Sequence, residues 1–256
     1  MVKVLGISFY TKNIAAAVAE ICAAAQSPTN VYNRVVTATG AHGLVEAYKD
    51  PLFHHQLASS FINLPDGMPT VWVGKLKGAK TMSRCYGPDF FMELIKASAD
   101  LPIQHFFCGG NEGVAEALRL RCKDDFGNNR VVGVFCPPFR TMSDDEMRTL
   151  GSEITLSGAH IVWIGMSCPK QEKFAHRLAN FTQTRFIVAV GAAFDFHTGR
   201  VKQAPKWMQN AGLEWFFRLL MEPKRLYKRY FEIVPRFIWL NIKEFVDFYR
   251  VKNKSI

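Results

Sequence analysis

The 256-residue sequence contains no CxxC pair, no HExxH, no GxSxG and no Asp-x-Asp. Its six cysteines, Cys22, Cys85, Cys108, Cys122, Cys136 and Cys168, are scattered. That argues against a disulfide framework or a zinc knuckle and for a reducing compartment. The seven histidines do not cluster at ligand spacing, so no metal site and no cofactor is expected. Neither GxGxxG nor a Walker A loop is present, which removes the usual fingerprints of dinucleotide and P-loop enzymes. No run approaches the roughly 18 apolar residues of a membrane span, so a soluble or peripheral protein is expected. The alanine-rich start resembles a signal peptide only superficially, because Lys12, Asn13 and Glu20 interrupt any apolar stretch. No internal repeat and no low-complexity linker is found.

Hydrophobic residues make up 48% of the chain, ample for a sizeable core. The net charge of +10 is unevenly placed. Residues 202–256 hold 12 Lys or Arg against 5 Asp or Glu, and 12 of the 33 aromatics. A basic, aromatic segment suits nucleic acid or an anionic membrane surface.

Apolar runs at Val2–Ser8, Arg34–Ala38, Ile103–Cys108, Arg130–Phe135, His160–Gly165 and Phe186–Val190 read as strands. Helical patterns fall between them near 12–25, 40–49, 88–99, 111–122, 143–157 and 169–180. Such alternation implies an α/β fold: a Rossmann-like, mostly parallel sheet with helices on both faces. After Asp195 the pattern becomes helical, with Pro205, Pro223 and Pro235 expected to begin or break helices at about 206–221, 224–233 and 235–250. Two units are therefore expected: an α/β body over 1–200 and a basic, aromatic-rich helical appendage over 201–256. Arg225, Arg229 and Arg236 share a stripe if the helix continues past Pro235. The aromatic face beside them either packs on the body or meets a membrane interface.

Several strand ends carry candidate chemistry. Gly165-Met-Ser-Cys-Pro-Lys-Gln-Glu172 turns from strand into helix, with Pro169 expected at the first helical position. Gln171 and Glu172 are thereby brought to the sheet edge where ligands of open α/β folds bind. Gly109 and Gly110, in Phe107-Cys-Gly-Gly-Asn-Glu-Gly113, would let a pyrophosphate approach a helix N-terminus. Asp66, in Leu64-Pro-Asp-Gly-Met-Pro69, is either an Asp-Gly turn or a general base. Thr37 and Thr39 either bond a sugar or phosphate, or cap the next helix. Arg84 is a surface cation or a phosphate clamp.

Taken in order, these segments resemble the WecG/TagA/CpsF glycosyltransferase family. The sharpest matches are Pro65-Asp-Gly67, Gly87-Pro-Asp89, the Gly165–Glu172 segment, Gly191-Ala-Ala-Phe-Asp195, and Ala204-Pro-Lys-Trp207 through Gly212-Leu-Glu-Trp215 to Arg229-Tyr230. The resemblance implies an inverting transferase that carries a sugar from a UDP-sugar to a polyprenyl-diphosphate-linked sugar. It would act peripherally at the cytoplasmic face of the bacterial inner membrane, in surface polysaccharide synthesis. N-acetylmannosamine is the favoured sugar and glucose the alternative. The same resemblance implies Asp66 as catalytic base and Thr37, Arg84 and Gln171 in the donor site, where Thr39, Gly109, Gly110 and Glu172 are also expected from their places at the strand ends. Arg218, Arg225, Lys228 and Arg229 would meet the acceptor diphosphate. The family's usual Asn is Thr39 here, so the sugar contacts differ. The expected partners are the UDP-sugar, the lipid-linked acceptor and an anionic membrane, with a homo-oligomer left open and no nucleic acid. The rival readings are a nucleic-acid-binding protein using the basic tail and a nucleotide-dependent oxidoreductase.

Overall fold

A computed structural model describes residues 1–29 and 31–254, with the side chains of 210, 225 and 248–254 outside that description. The expected first strand is instead a hairpin, β1 (Val2–Val4) against β2 (Ile7–Phe9), antiparallel and apart from the main sheet. The residues between them, Leu5 and Gly6, both adopt positive φ, +49° and +80°. Two positive-φ residues make the tight turn whose twist matches a right-twisted ribbon, so an apolar run long enough for one strand folds back on itself.

The main sheet has six strands, all parallel: β3 (Arg34–Thr39), β4 (Ile62–Pro65), β5 (His105–Gly109), β6 (Val131–Phe135), β7 (Ile161–Gly165) and β8 (Phe186–Ala189). Their order is β4-β3-β8-β7-β5-β6. Side chains alternate between two cores, as a sheet covered on both faces requires. Val36, Phe107, Trp163 and Val188 face one core, with α1 (Ile14–Gln26), α5 (Gly87–Ala97) and α6 (Val114–Phe126). Val35, Phe106, Cys108, Val162, Ile164 and Ile187 face the other, under α7 (Asp144–Leu156) and α8 (Lys170–Leu178).

Local signals set the helix starts. Asn13 caps α1 through its side chain, and Ser143 with Glu146 forms a capping box on α7. Asp50 caps α3 (Pro51–Ser59) by accepting from the Leu52 and Phe53 amides, with Pro51 in the first turn. This helix, β4 and α4 (Met68–Leu76) are additions to the sequence-based list, as is the short α9 (Ala193–His197). Pro169 is the residue before α8 rather than its first helical residue.

The carboxyl-terminal part is helical, but its divisions differ from expectation. The stretch read as one helix over 206–221 is α10 (Lys206–Asn210) and α11 (Glu214–Met221), separated by Gly212 at φ +73°. Pro235 breaks nothing: α12 runs from Pro223 to Lys254 with that proline inside it. An internal proline costs a helix about 3 kcal/mol. Here Ile233, Phe237 and Leu240 of α12 are buried with Leu44 and Val45 of α2 (Ala41–Lys49) and with Phe53 and Leu57 of α3. That packing holds both halves in line and outweighs the proline.

Candidate active site

Because all six strands are parallel, their carboxyl ends share one edge. From β5 the chain passes to β6 on one side, and from β7 to β8 on the other. Direction therefore reverses between the neighbours β5 and β7, the position where open α/β sheets leave a crevice. The backbone there is bare. Gly109 lies opposite Gly165, and a Cβ on Gly109 would stand 2.4 Å from the Gly165 carbonyl oxygen. Gly110, at φ +72°, donates to that same oxygen at 2.9 Å. The loop then enters α6 through Gly113, with no side chain capping the helix. The Val114 amide donates to the Asn111 carbonyl at 3.0 Å, and no side chain caps the amides of Ala115 and Glu116 that follow it.

Asp66 follows β4, at the same sheet edge as Gly109 but four strands away, about 19 Å at the usual strand spacing of about 4.8 Å. Its carboxylate is oriented from several sides. Oδ1 accepts from the Gly87 amide at the start of α5, at 2.8 Å. The Asp66 carbonyl accepts from Arg84 Nε at 2.7 Å, and its amide donates to the Thr39 carbonyl at 3.1 Å. Oδ2 lies on the side of Gly40, where a Cβ would come within 4.0 Å of it. Dense surroundings push the carboxyl up to about 6, although Arg84, the Gly87 amide and Arg218 all favour its charged form. The residue still keeps part of its surface open. A carboxylate near pH 6 with one free oxygen is suited to taking a proton.

Arg84 is held on three sides. Besides Asp66 it stacks on Tyr86, 4.0 Å from guanidinium carbon to ring centre, and one Nη pairs with Glu214 in the first turn of α11. One helical turn further on, Arg218 lies over the Phe196 ring at 5.8 Å and has a buried Nε without a hydrogen-bond partner. A buried guanidinium N–H without an acceptor, beside a second arginine, is the chemistry of a site that receives an anion.

With this geometry, the sequence can be placed among known proteins: residues 2–251 match the glycosyl transferase WecG/TagA/CpsF family. The chain belongs to that family. Two relatives are described as N-acetylglucosaminyldiphosphoundecaprenol N-acetyl-beta-D-mannosaminyltransferases. The one from Bacillus subtilis is 30% identical over 201 residues, 77% of this chain and 75% of its own length. The one from Bacillus spizizenii is 30% identical over 209 residues, 82% and 78% of the two chains. Neither the oxidoreductase nor the nucleic-acid reading finds support among these relatives.

In this WecG/TagA/CpsF protein the two threonines of β3 are buried. Their hydroxyls lie 2.8 Å apart, and Thr37 donates to Asn63 Oδ1 of β4 at 2.7 Å. Since the Thr37 proton goes to Asn63, Thr39 donates to Thr37. Asn63 in turn donates to the Ser8 and Leu57 carbonyls at 3.1 and 2.9 Å. The threonines thus fix the β3–β4 edge from which Asp66 emerges.

Gln171 and Glu172 are also buried. Gln171 Oε1 accepts from the Gly191 amide at 2.8 Å and its Nε2 donates to Glu172 Oε1 at 2.9 Å, which joins the β7 and β8 loops. Burial pushes the Glu172 carboxyl up to about 7, although Gln171, its own amide and the Cys168 thiol favour its charged form. Beside it burial also raises the Cys168 thiol well above its usual range, so this cysteine is a neutral thiol and a poor nucleophile.

The basic residues of α12 divide. Arg229 is half-buried, close enough to bias both His42 and Cys168, while Lys228 is exposed. The His42 imidazole is pushed down to about 4, first by burial and then by Arg229. Arg236 lies over the Tyr48 ring of α2 at 5.9 Å. The Arg225 side chain lies outside the described residues. Among the described residues, no three His, Cys, Asp or Glu side chains converge as a metal-holding group. Glu214, Tyr86, Asn63 and the amides of Gly87 and Gly191 join the site without having been singled out from sequence. Gly87, Gly191 and Glu214 lay inside the family-like segments, but nothing in a linear reading gave them a partner.

Proposed function

We propose that this protein is an inverting, UDP-sugar-dependent hexosyltransferase that extends a polyprenyl-diphosphate-linked sugar in surface polysaccharide synthesis. The observation that carries this reading is the Asp66 carboxyl, lifted to about 6 and oriented by Gly87, with Arg84 and Arg218 beside it. In a single displacement the acceptor hydroxyl attacks the anomeric carbon from the face opposite the leaving group. Its proton passes to Asp66 Oδ2, the anomeric C–O bond breaks, and the electron pair leaves with UDP. The departing diphosphate meets guanidinium groups and helix-start amides, which stabilise charge as it develops. The bare backbone at Gly109 and Gly110 would take the nucleotide, and Gln171 with Glu172 would shape the pocket between nucleotide and base.

Both relatives are named for N-acetylmannosamine transfer to a lipid-linked N-acetylglucosamine, which supports that sugar as the donor group. Glucose is the alternative, because Thr39 stands where the family commonly has Asn.

The membrane reading rests on the outer side of α12. Tyr227, Phe231, Val234, Ile238 and Ile242 form an exposed apolar stripe at helical spacing, with Lys224, Lys228, Arg236 and Lys243 also exposed. Among the described residues no helix is long and apolar enough to cross a membrane. The helix would therefore lie in the interface of the cytoplasmic leaflet, bringing Arg218, Arg225, Lys228 and Arg229 towards the acceptor diphosphate.

The deciding experiment incubates the protein with a panel of UDP-sugars and a lipid-diphosphate sugar, and follows UDP release and the mass of the lipid. In Asp66→Asn, transfer should fall by about 10²–10⁴-fold with UDP binding retained. Near wild-type transfer in that variant would remove Asp66 from the mechanism.

A further inference from the structure

Glu214 puts a negative charge where the proposed reaction needs positive charge. Its side chain is only 12% exposed and its partner Arg84 only 15%, so the ion pair is largely out of water. Such pairs add little to stability beyond what well-packed apolar residues would give. A carboxylate here also works against binding of any diphosphate. Holding the donor is therefore not what the pair accomplishes.

Its position in the fold supplies another role. Glu214 sits in the first turn of α11, where a carboxylate complements the helix dipole, and Arg218 follows one turn later on the same helix. The start of α11 has two seats. On one side Gly212 lies tight against α4, where a Cβ would come within 3.0 Å of the Trp72 ring and 3.3 Å of Met68 Cβ. On the other side Glu214 holds Arg84, and Arg84 Nε holds the Asp66 carbonyl. A continuous chain of contacts thus runs from the carboxyl-terminal helices to the backbone of the base.

We propose that Glu214 is a positioning residue for transfer: by holding Arg84 it seats α11 and so keeps Arg218, one turn further along that helix, on the Asp66 side of the site. This rests on the reading of Asp66 as base and of the two arginines as the anion-binding pair. Seating both arginines and the base through one ion pair makes the distance between base and leaving-group charge depend on α11 being docked. Transfer then requires the helical part in place, while the nucleotide can bind without it.

The test is Glu214→Gln, which keeps shape and loses charge, with Glu214→Asp as a second variant that keeps charge on a shorter stem. UDP binding is measured by calorimetry. Turnover is measured with the donor that the panel identifies, and docking of α11 by limited proteolysis of the 200–213 segment. In Glu214→Gln, UDP should bind at least as tightly as in wild type, because a competing carboxylate is gone. Turnover should fall by about 10–100-fold, the cost of misplacing reacting groups by about 1 Å, and cleavage in 200–213 should quicken. Glu214→Asp should lose less turnover than Glu214→Gln. Unchanged or higher turnover in Glu214→Gln would overturn the proposal, and so would UDP affinity and turnover falling in the same proportion. Asp66→Asn in the same assay separates the two readings: full activity there would remove the base, whereas quickened cleavage in 200–213 is expected of Glu214→Gln and not of Asp66→Asn.

Discussion

Replacing Glu172 with Gln should make the protein more stable at pH 8 and leave it nearly unchanged at pH 5. Glu172 is fully buried and accepts from Gln171 on one oxygen, with the Cys168 thiol and its own amide beside the carboxyl. Its carboxyl is raised from an ordinary 4.5 to about 7, with burial as the leading cause. Between those values the folded protein holds a proton that the unfolded chain has released, so stability falls as pH rises. At about 1.4 kcal/mol per pH unit, the interval from 4.5 to about 7 gives about 3 kcal/mol lost by pH 8. Glutamine has no such titration, can still accept from Gln171, and is close to isosteric with the protonated acid. Urea unfolding of both proteins at pH 5 and pH 8 measures the difference. Because a part of that loss is already present at pH 5, the gap should move in favour of Glu172→Gln by about 2–3 kcal/mol, roughly 5–10 °C in Tm for a chain of this size. A difference that stays the same at both pH values would refute the reasoning, since it would mean that Glu172 does not change its protonation in this window.

Three further outcomes are expected. The kcat/KM profile should rise through pH 6 and then level, because Asp66 works only after losing its proton and its carboxyl is lifted to about 6; an acid limb near 4 would contradict the buried base. Gly109→Ala should destabilise by at least about 2 kcal/mol in urea unfolding, because φ is +143° and the new Cβ would meet the Gly165 backbone at 2.4 Å, where nothing flexible can yield. Phe231→Glu with Ile238→Glu should weaken binding to anionic vesicles in a sedimentation assay while leaving Tm within a few degrees, since both residues are exposed; undiminished binding would remove α12 from the membrane. Point changes are preferable to deleting the carboxyl-terminal helices, because deletion would uncover the core formed by Leu44, Val45, Phe53 and Leu57.

The sheet was legible because five of its six strands are apolar runs bounded by turn residues, a pattern that local propensity and burial both favour. β4 was harder to read, since Ile62–Pro65 is only four residues long and ends in a proline that sits beside Thr39 in the edge pairing. The helical divisions beyond Gly199 failed for a different reason. Pro235 argues locally for a break, and its contribution is outweighed by three large side chains buried against α2 and α3, contacts that only the folded chain brings together. Propensity counts a few residues at a time, whereas packing sums over the whole interface.

The same distinction separates the parts of the site that sequence supplied from those it could not. Asp66, Arg84, Gly109 and Gln171 announce themselves by residue type at the end of a strand or the start of a helix. Glu214 reaches Arg84 across 130 positions, and Gly191 reaches Gln171 across 20, so neither pairing has a local signature. Even the threonines, which look like ligand hydroxyls on paper, are engaged with each other and with Asn63, 26 positions from Thr37. The chemistry proposed here depends on such long-range pairs, because a carboxyl lifted to about 6 requires both the burial that raises it and the arginines that limit the rise. Removing α11 would take away Arg218, which favours the charged form of Asp66, and Glu214, which opposes it, and would leave Arg84 beside the base without its carboxylate partner. In the proposed mechanism, docking of α11 therefore helps to set the charge environment of the base in this Asp-Gly turn.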